Sequence, residues 1–165
     1  MPNVPVYDLK FQASTRSIVA FTFGRGVFVL APQLSLLATV NQASFAVRQM
    51  LTATAGVVNP GLLGAADVYV GMLRPDGTIE FFTGTGSAFG NVADLTSFRP
   101  IATGVSLATP FSVTVPNFYS HQWTGSEVRG TWVFFVGVLK AGALAGGSLA
   151  SDAILSLATA LFSFP

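Results

Sequence analysis

The stretch that decides the fold is "DVYVGMLRPDGTIEFFT", Asp67 to Thr83. Its first part, "DVYVGML" (67–73), is rich in β-branched and aromatic residues. "RPDG" (74–77) follows, in which Pro presets φ and Gly accepts a positive φ, so the chain must turn there. "TIEFFT" (78–83) then runs back, and the segment predicts a β-hairpin. Working outward, the same signals recur in "LSLLATV" (34–40), "QMLTATAGVV" (49–58), "ATGVSLA" (102–108) and "FSVTVPNFY" (111–119), the last interrupted by Pro116. "GTWVFFVGVL" (130–139) is the strongest strand, apolar enough for burial on both faces. "TGTGSAFGNVADLTSFRP" (83–100) and "KAGALAGGSLASD" (140–152) read as small-residue loops. The closing "AILSLATALFSF" (153–164) is double-valued. Ile154, Leu155, Leu157, Ala158 and Leu161 fit one helical face behind a Ser151 N-cap, which predicts a short helical turn near 151–158 before a final strand. The sum is an all-β, antiparallel, immunoglobulin-like β-sandwich of about seven to nine strands, with an N-terminal hairpin in "FTFGRGVFVL" (21–30).

The composition fits. A chain of 165 residues buries roughly two thirds of its unfolded surface, enough for a core without staples. Charged residues make up 9 %, against about 25 % in an ordinary domain, while 51 % are hydrophobic and fifteen are Phe. The uncharged segments 26–47, 49–66, 100–126 and 141–151 are each broken by Pro, Gly, Asn, Gln or Ser. None is an apolar run of about 18 residues, so no membrane span is expected. The net charge of +1 comes from singly scattered groups, which argues against nucleic acid. The absence of Cys excludes disulfides, thiolate metal sites and Cys nucleophiles. "MPNVPVYDLK" has neither a basic start nor an apolar h-region, so the chain is expected to be cytosolic or a piece of a longer precursor.

Two resemblances add to this reading. From Leu34 to Phe164 the chain resembles the immunoglobulin-like or fibronectin-like C-terminal domains of secreted bacterial multidomain proteins. "ADVYVGMLRPDGTIEFF" (66–82) is similar to their Pro-Asp-Gly hairpin, "WTGSEVRGTWVFFVGVLKAGALAGG" (123–147) to their penultimate strand and Gly-rich loop, and "LATALFSF" (157–164) to their last strand. Arg129 stands where those domains often carry Pro, and Trp132 where they often carry Tyr. From Pro2 to Leu30 the chain resembles the last blade of a sialidase-like β-propeller of the BNR-repeat kind. "SIVAFTFGRGVFVL" (17–30) carries the Thr, the Gly-Arg-Gly and the hydrophobic tail of that pattern. A propeller needs about four or more blades, so none can form within this chain. Residues 1–31 are therefore expected to be a blade-like segment and residues 32–165 the sandwich, joined at Ala31-Pro32-Gln33. The resemblance implies an extracellular or cell-surface setting, provided that an upstream part of a precursor carries the signal.

Few residues speak of chemistry. His121 is the one His, so a Ser-His dyad would use it as base with Ser120 or Ser126. No G-x-S-x-G elbow accompanies it; "GTGSAFG" (84–90) has the wrong spacing for that and for a phosphate loop. The acids are scattered, and Asp94 with Glu127 form the one pair whose loops could share an end to hold a metal, yet turn carboxylates explain both more simply. No motif calls for a cofactor. Among the aromatics, Phe89, Tyr119 and Trp123 sit where loops are expected and would form a stacking platform for sugars, although core packing is the commoner fate. The reading that follows is a non-catalytic accessory or interaction module of a secreted or surface protein, its partner a protein or a polysaccharide. The alternatives are a carbohydrate-binding module on Trp123 and Tyr119, a subunit that self-associates through the strands of residues 4–30, and a small hydrolase built on His121.

Overall fold

The turn at Pro75-Asp76-Gly77 forms as its residues dictate. Thr78 N–H donates to the Asp76 carboxylate at 2.9 Å, Arg74 N–H to the Thr78 carbonyl at 2.8 Å, and Gly77 sits at φ +83°. The computed structural model describes residues 5–14, 17–22, 26–31, 33–61 and 64–165. In chain order the strands are β1 (Val6–Gln12), β2 (Ser17–Thr22), β3 (Gly26–Leu30), β4 (Ser35–Val40), β5 (Met50–Asn59) and β6 (Ala65–Leu73). They continue with β7 (Thr78–Thr83), β8 (Gly86–Asn91), β9 (Ala102–Ser106), β10 (Phe111–Gln122), β11 (Gly130–Lys140) and β12 (Ile154–Phe164). All strand-to-strand pairings are antiparallel.

Strands β4 to β12 make two sheets. One has the order β10-β5-β4, the other β12-β11-β6-β7-β8, with β9 paired to the first half of β6. An immunoglobulin-type sandwich sets strands A-B-E against G-F-C-C′-C″ in this same order. A short parallel bridge, Ser44 to Ser163, ties the segment after β4 to the end of β12. One departure is β9, which pairs with β6 where strand D would pair with E. Between the sheets lies the main core, fed by Leu51 and Ala53 of β5, Val70 and Met72 of β6, and Phe134 and Val136 of β11. Each pair is two residues apart, so each strand offers one face to the partner sheet. The outer face of the larger sheet carries a second apolar layer around Tyr69, Ile79 and Phe81, covered by Leu144 and the 3-10 turn Leu95–Ser97. Gly71 lets this layer close: a Cβ there would lie 2.6 Å from the Glu80 carbonyl and 2.9 Å from the Phe135 ring.

Residues 141–152 form a loop of turns, as expected, with Lys140 still in β11, but 154–164 is continuous strand and not a helical turn followed by a strand. A short apolar run satisfies a period of 3.6 and a period of 2 alike. Pairing decides it: β12 runs beside β11 from Ile154 to Phe164, and Phe162 and Phe164 turn inward. Strand β8 lies inside the glycine-rich stretch read as a loop, paired to β7 from Thr78↔Asn91 to Thr83↔Gly86. Pro116 falls in a bulge of β10, where pairing passes from Val115↔Ala55 to Tyr119↔Ala53, so its missing N–H costs no ladder bond.

The N-terminal segment is a meander in the order β1-β2-β3, one strand more than the expected hairpin. The Gly24-Arg25 pivot lies outside the described residues. Cross-strand pairs show what its faces carry. Phe11↔Ile18↔Leu30 and Leu9↔Ala20↔Phe28 make one face apolar up to Thr22 at its edge. The other face is apolar on β2 and β3, through Val19↔Val29 and Phe21↔Val27, and charged on β1, where Lys10 pairs with Asp8 at 3.3 Å.

Asp67 fastens β6 to β9 and to the loop that follows β11. It is buried, and its carboxylate accepts from Gly104 N–H at 2.9 Å and Gly142 N–H at 2.8 Å. Asp67→Ala removes both acceptors at once. We expect a loss of about 2–3 kcal/mol in urea unfolding, because hydrogen bonds to a charged group contribute at that level.

Candidate functional site

The bulge at Pro116-Asn117 sets the facing of the last part of β10. After it, Tyr119, His121 and Trp123 turn inward at alternate positions, and Ser120 and Gln122 turn out. The inward three meet Arg74 and Glu80 from the β6–β7 hairpin, Trp132 from β11, and Ser126 and Glu127 from the 124–128 loop. Together they line a cavity of about 130 Å³ at one end of the sandwich. Ser120, on the opposite face, is outside it.

Glu127 organises the loop. Its carboxylate accepts from Thr124 N–H at 3.0 Å, Gly125 N–H at 2.8 Å and the Thr124 hydroxyl at 2.9 Å. Burial pulls its pKa upward, but the backbone and hydroxyl donors outweigh burial and hold it down at about 2. An ionised carboxylate only accepts, so the imidazole of His121, 2.9 Å away, carries a proton on Nε2 and donates a hydrogen bond to Glu127. The Thr124 hydroxyl spends its proton on Glu127, so the Ser126 hydroxyl, 2.8 Å from it, donates to Thr124. Ser126 thus lines the same cavity as His121 but hydrogen-bonds to Thr124, and Ser120 faces away. Neither completes a dyad with the imidazole.

Arg74 closes the other side. Its guanidinium pairs with Glu80 at 3.2 Å and lies between two rings, 4.9 Å from that of Phe89 and 5.6 Å from that of Trp132. Phe89 is therefore a cover for Arg74 with its outer side exposed. Tyr119 packs against Phe82, with ring centroids 4.6 Å apart and the planes tilted by 35°. Burial, and then the Glu80 charge, push its hydroxyl up to about 12, so it remains a donor throughout the physiological range. Trp123 is 1 % exposed, held against Phe164 at 4.5 Å and edge-on to Trp132 and His121. Its ring faces are covered, so it offers no platform to a sugar. Its Nε1 donor and the Nε donor of Arg74 are both buried without a hydrogen-bond partner. An unmet buried donor costs about 1–3 kcal/mol.

Carboxylates elsewhere are spent locally. Asp94 caps the 3-10 turn through Thr96, and Asp76 serves its own turn. Among the described residues no group of three or more His, Cys, Asp or Glu converges as metal ligands would. A second cavity, of about 270 Å³, lies on the outer face of the larger sheet between Leu95 and Leu149, and its lining is apolar.

Glu127 makes stability depend on acid. Its folded pKa lies below the ordinary 4.5, so its contribution is complete above that value and is lost as pH falls toward about 2. The difference in urea midpoint between the wild type and Glu127→Gln should be constant near neutrality and shrink between about pH 4.5 and pH 2.

No protein-family model matches the chain, and no curated protein matches its sequence.

Proposed function

We propose that the chain is a non-catalytic interaction module, part of a secreted or surface bacterial protein, and that it makes its contact through the β1-β2-β3 sheet. The observation that carries this is the state of that sheet's faces. Leu9, Phe11 and Leu30 share one face and are each 60–67 % exposed, and Val29 on the other is 63 % exposed. Three strands reach independent stability only when an apolar face is covered. A contiguous apolar patch on a surface marks a contact with another protein.

The occupant is an apolar β-sheet of another protein body. Strands apolar on both sides, as β2 and β3 are, suit burial between two layers. A propeller blade, which this segment resembles, sits between neighbours in that way. The strand order of the sandwich supports the relation to appended immunoglobulin-like domains, and with it the extracellular setting. The cavity chemistry supports a non-catalytic reading, since His121 hydrogen-bonds to Glu127 and to neither candidate serine.

In the isolated chain a second copy stands in for the absent body. Light scattering should give a mass that rises with concentration in the micromolar range, the range of weak interfaces. Phe11→Glu with Ile18→Glu should return it to one chain while leaving the thermal unfolding of the sandwich unchanged. A monomer whose residues 6–30 resist amide exchange as strongly as β11 would show the faces already covered, and the reading would fail.

A further inference from the structure

We propose that the open edge of β12 at residues 157–161 is a strand-addition site, and that its occupant is an uncharged, extended peptide segment of about five residues supplied by a partner protein. This contact goes beyond the one made by the N-terminal sheet and does not depend on it.

The backbone of β12 leads there. Ser163 turns its polar groups away from β11: its N–H donates to Ala43 O at 3.0 Å, and its carbonyl accepts from Phe45 N–H at 2.9 Å. Bonding residues alternate along an antiparallel ladder, so Leu161, Thr159 and Leu157 turn their N–H and C=O outward too, while Phe162, Ala160 and Ala158 bond to β11. β12 is the last strand of its sheet, and among the described residues no group meets the outward ones of 157–161. An alternating row of free donors and acceptors is a template for another extended chain. Proteins blunt such edges with Pro, bulges or charge, as Pro116 and its bulge blunt β10. Residues 157–161 have no Pro, no bulge and no charge.

The open edge has two stops, and they set its length. On one side the segment 43–45 already lies against Ser163. On the other, a β-bulge breaks the ladder between Ser156↔Val138 and Ile154↔Leu139. A second copy's β12, eleven residues long, overruns the space between them and meets segment 43–45, whereas a short segment ends within it. Side chains set the chemistry. Leu157 and Leu161 lie on the outer face, 59 % and 63 % exposed, with Thr159 between them. Leu157 and Thr159 also line the apolar cavity of about 270 Å³ on that face. The side chains toward the other sheet are the small Ala158 and Ala160, both half-buried. A charged side chain laid beside these groups finds no counter-charge. The segment is therefore uncharged, and apolar where it crosses Leu157 and Leu161.

The probe is the capped peptide acetyl-Val-Thr-Thr-Thr-Val-amide, which sets Val beside each Leu and Thr beside Thr159 whichever way it runs. Added to the isotope-labelled full chain, it should shift the amide resonances of Leu157, Thr159 and Leu161 and slow their exchange. Saturation should fall in the millimolar range expected of so short a contact. Acetyl-Lys-Thr-Thr-Thr-Lys-amide should bind roughly tenfold more weakly. Thr159→Pro removes an outward N–H and no ladder bond, a place where an edge strand tolerates Pro, and should abolish binding. Leu157→Lys with Leu161→Lys changes two exposed side chains, should weaken binding by roughly tenfold, and suffices should the Pro variant not fold. Unchanged amides at 157–161, equal binding of the Lys peptide, or full affinity in either folded variant would overturn the proposal. Protection of these amides in the chain alone as its concentration rises would overturn it too, by showing a second copy at the edge. The readout is residue by residue, so changes within residues 6–30 bear on the N-terminal sheet and not on β12.

Discussion

The burial of Trp123 is the contact on which the rest of this end of the molecule depends. Its indole lies flat on Phe164 at the end of β12, edge-on to Trp132 at the start of β11, and against Phe45 from the segment that leads into β5. Those elements belong to different sheets, so one side chain fixes how the two layers meet. Backbone bonds reinforce it: Trp123 N–H donates to Gln49 O, and its carbonyl accepts from Arg48 N–H at 2.7 Å. Arg48 takes a positive φ of 72° to do so. The same placement leaves Nε1 unsatisfied, so packing and polar satisfaction conflict at one residue. Such conflicts are expected where a structure serves something besides its own stability.

The polar end of the sandwich and its apolar appendage are built from opposite materials. Around Tyr119 and His121, scarce charged groups are gathered and paired. In β2 and β3 almost everything is apolar. The asymmetry gives the molecule two surfaces of different kind, one a concave cavity of mixed lining with paired charges and the other an open sheet.

Legibility in the sequence followed the range of the interaction. The β6–β7 hairpin was readable because Pro75, Asp76 and Gly77 act on neighbours one or two residues away. Most strands were readable from composition. Strand β8 was not, because Gly86, Ser87 and Gly90 lack strand propensity and the strand exists by pairing with β7. The end of the chain misled for a related reason, since its helical period was real but β11 offered a longer partnership. At the site, Tyr119, His121 and Trp123 were visible as a cluster on one segment. Their inward facing was not, because it depends on the bulge at Pro116. Arg74, Glu80 and Trp132 come from other strands, and only the crossing of the sheets brings them there. Glu127 was legible as a turn carboxylate, and its partners are indeed Thr124 and Gly125 of its own loop, whereas its contact with His121 was not legible because the facing of β10 decides it.

The uncharged face formed by Leu9, Phe11, Ile18, Ala20, Phe28 and Leu30 has a thermal consequence. A contact made by such a surface draws its free energy from water released near apolar groups, which is an entropic gain near room temperature. It weakens on cooling and strengthens with excluded salts such as sulfate. Electrostatic steering contributes little where no charge is offered, so encounter follows the slow neutral regime of about 10⁵–10⁶ M⁻¹s⁻¹ and is nearly blind to ionic strength. The attachment proposed through this sheet would therefore be governed by temperature and excluded solutes more than by pH or salt screening.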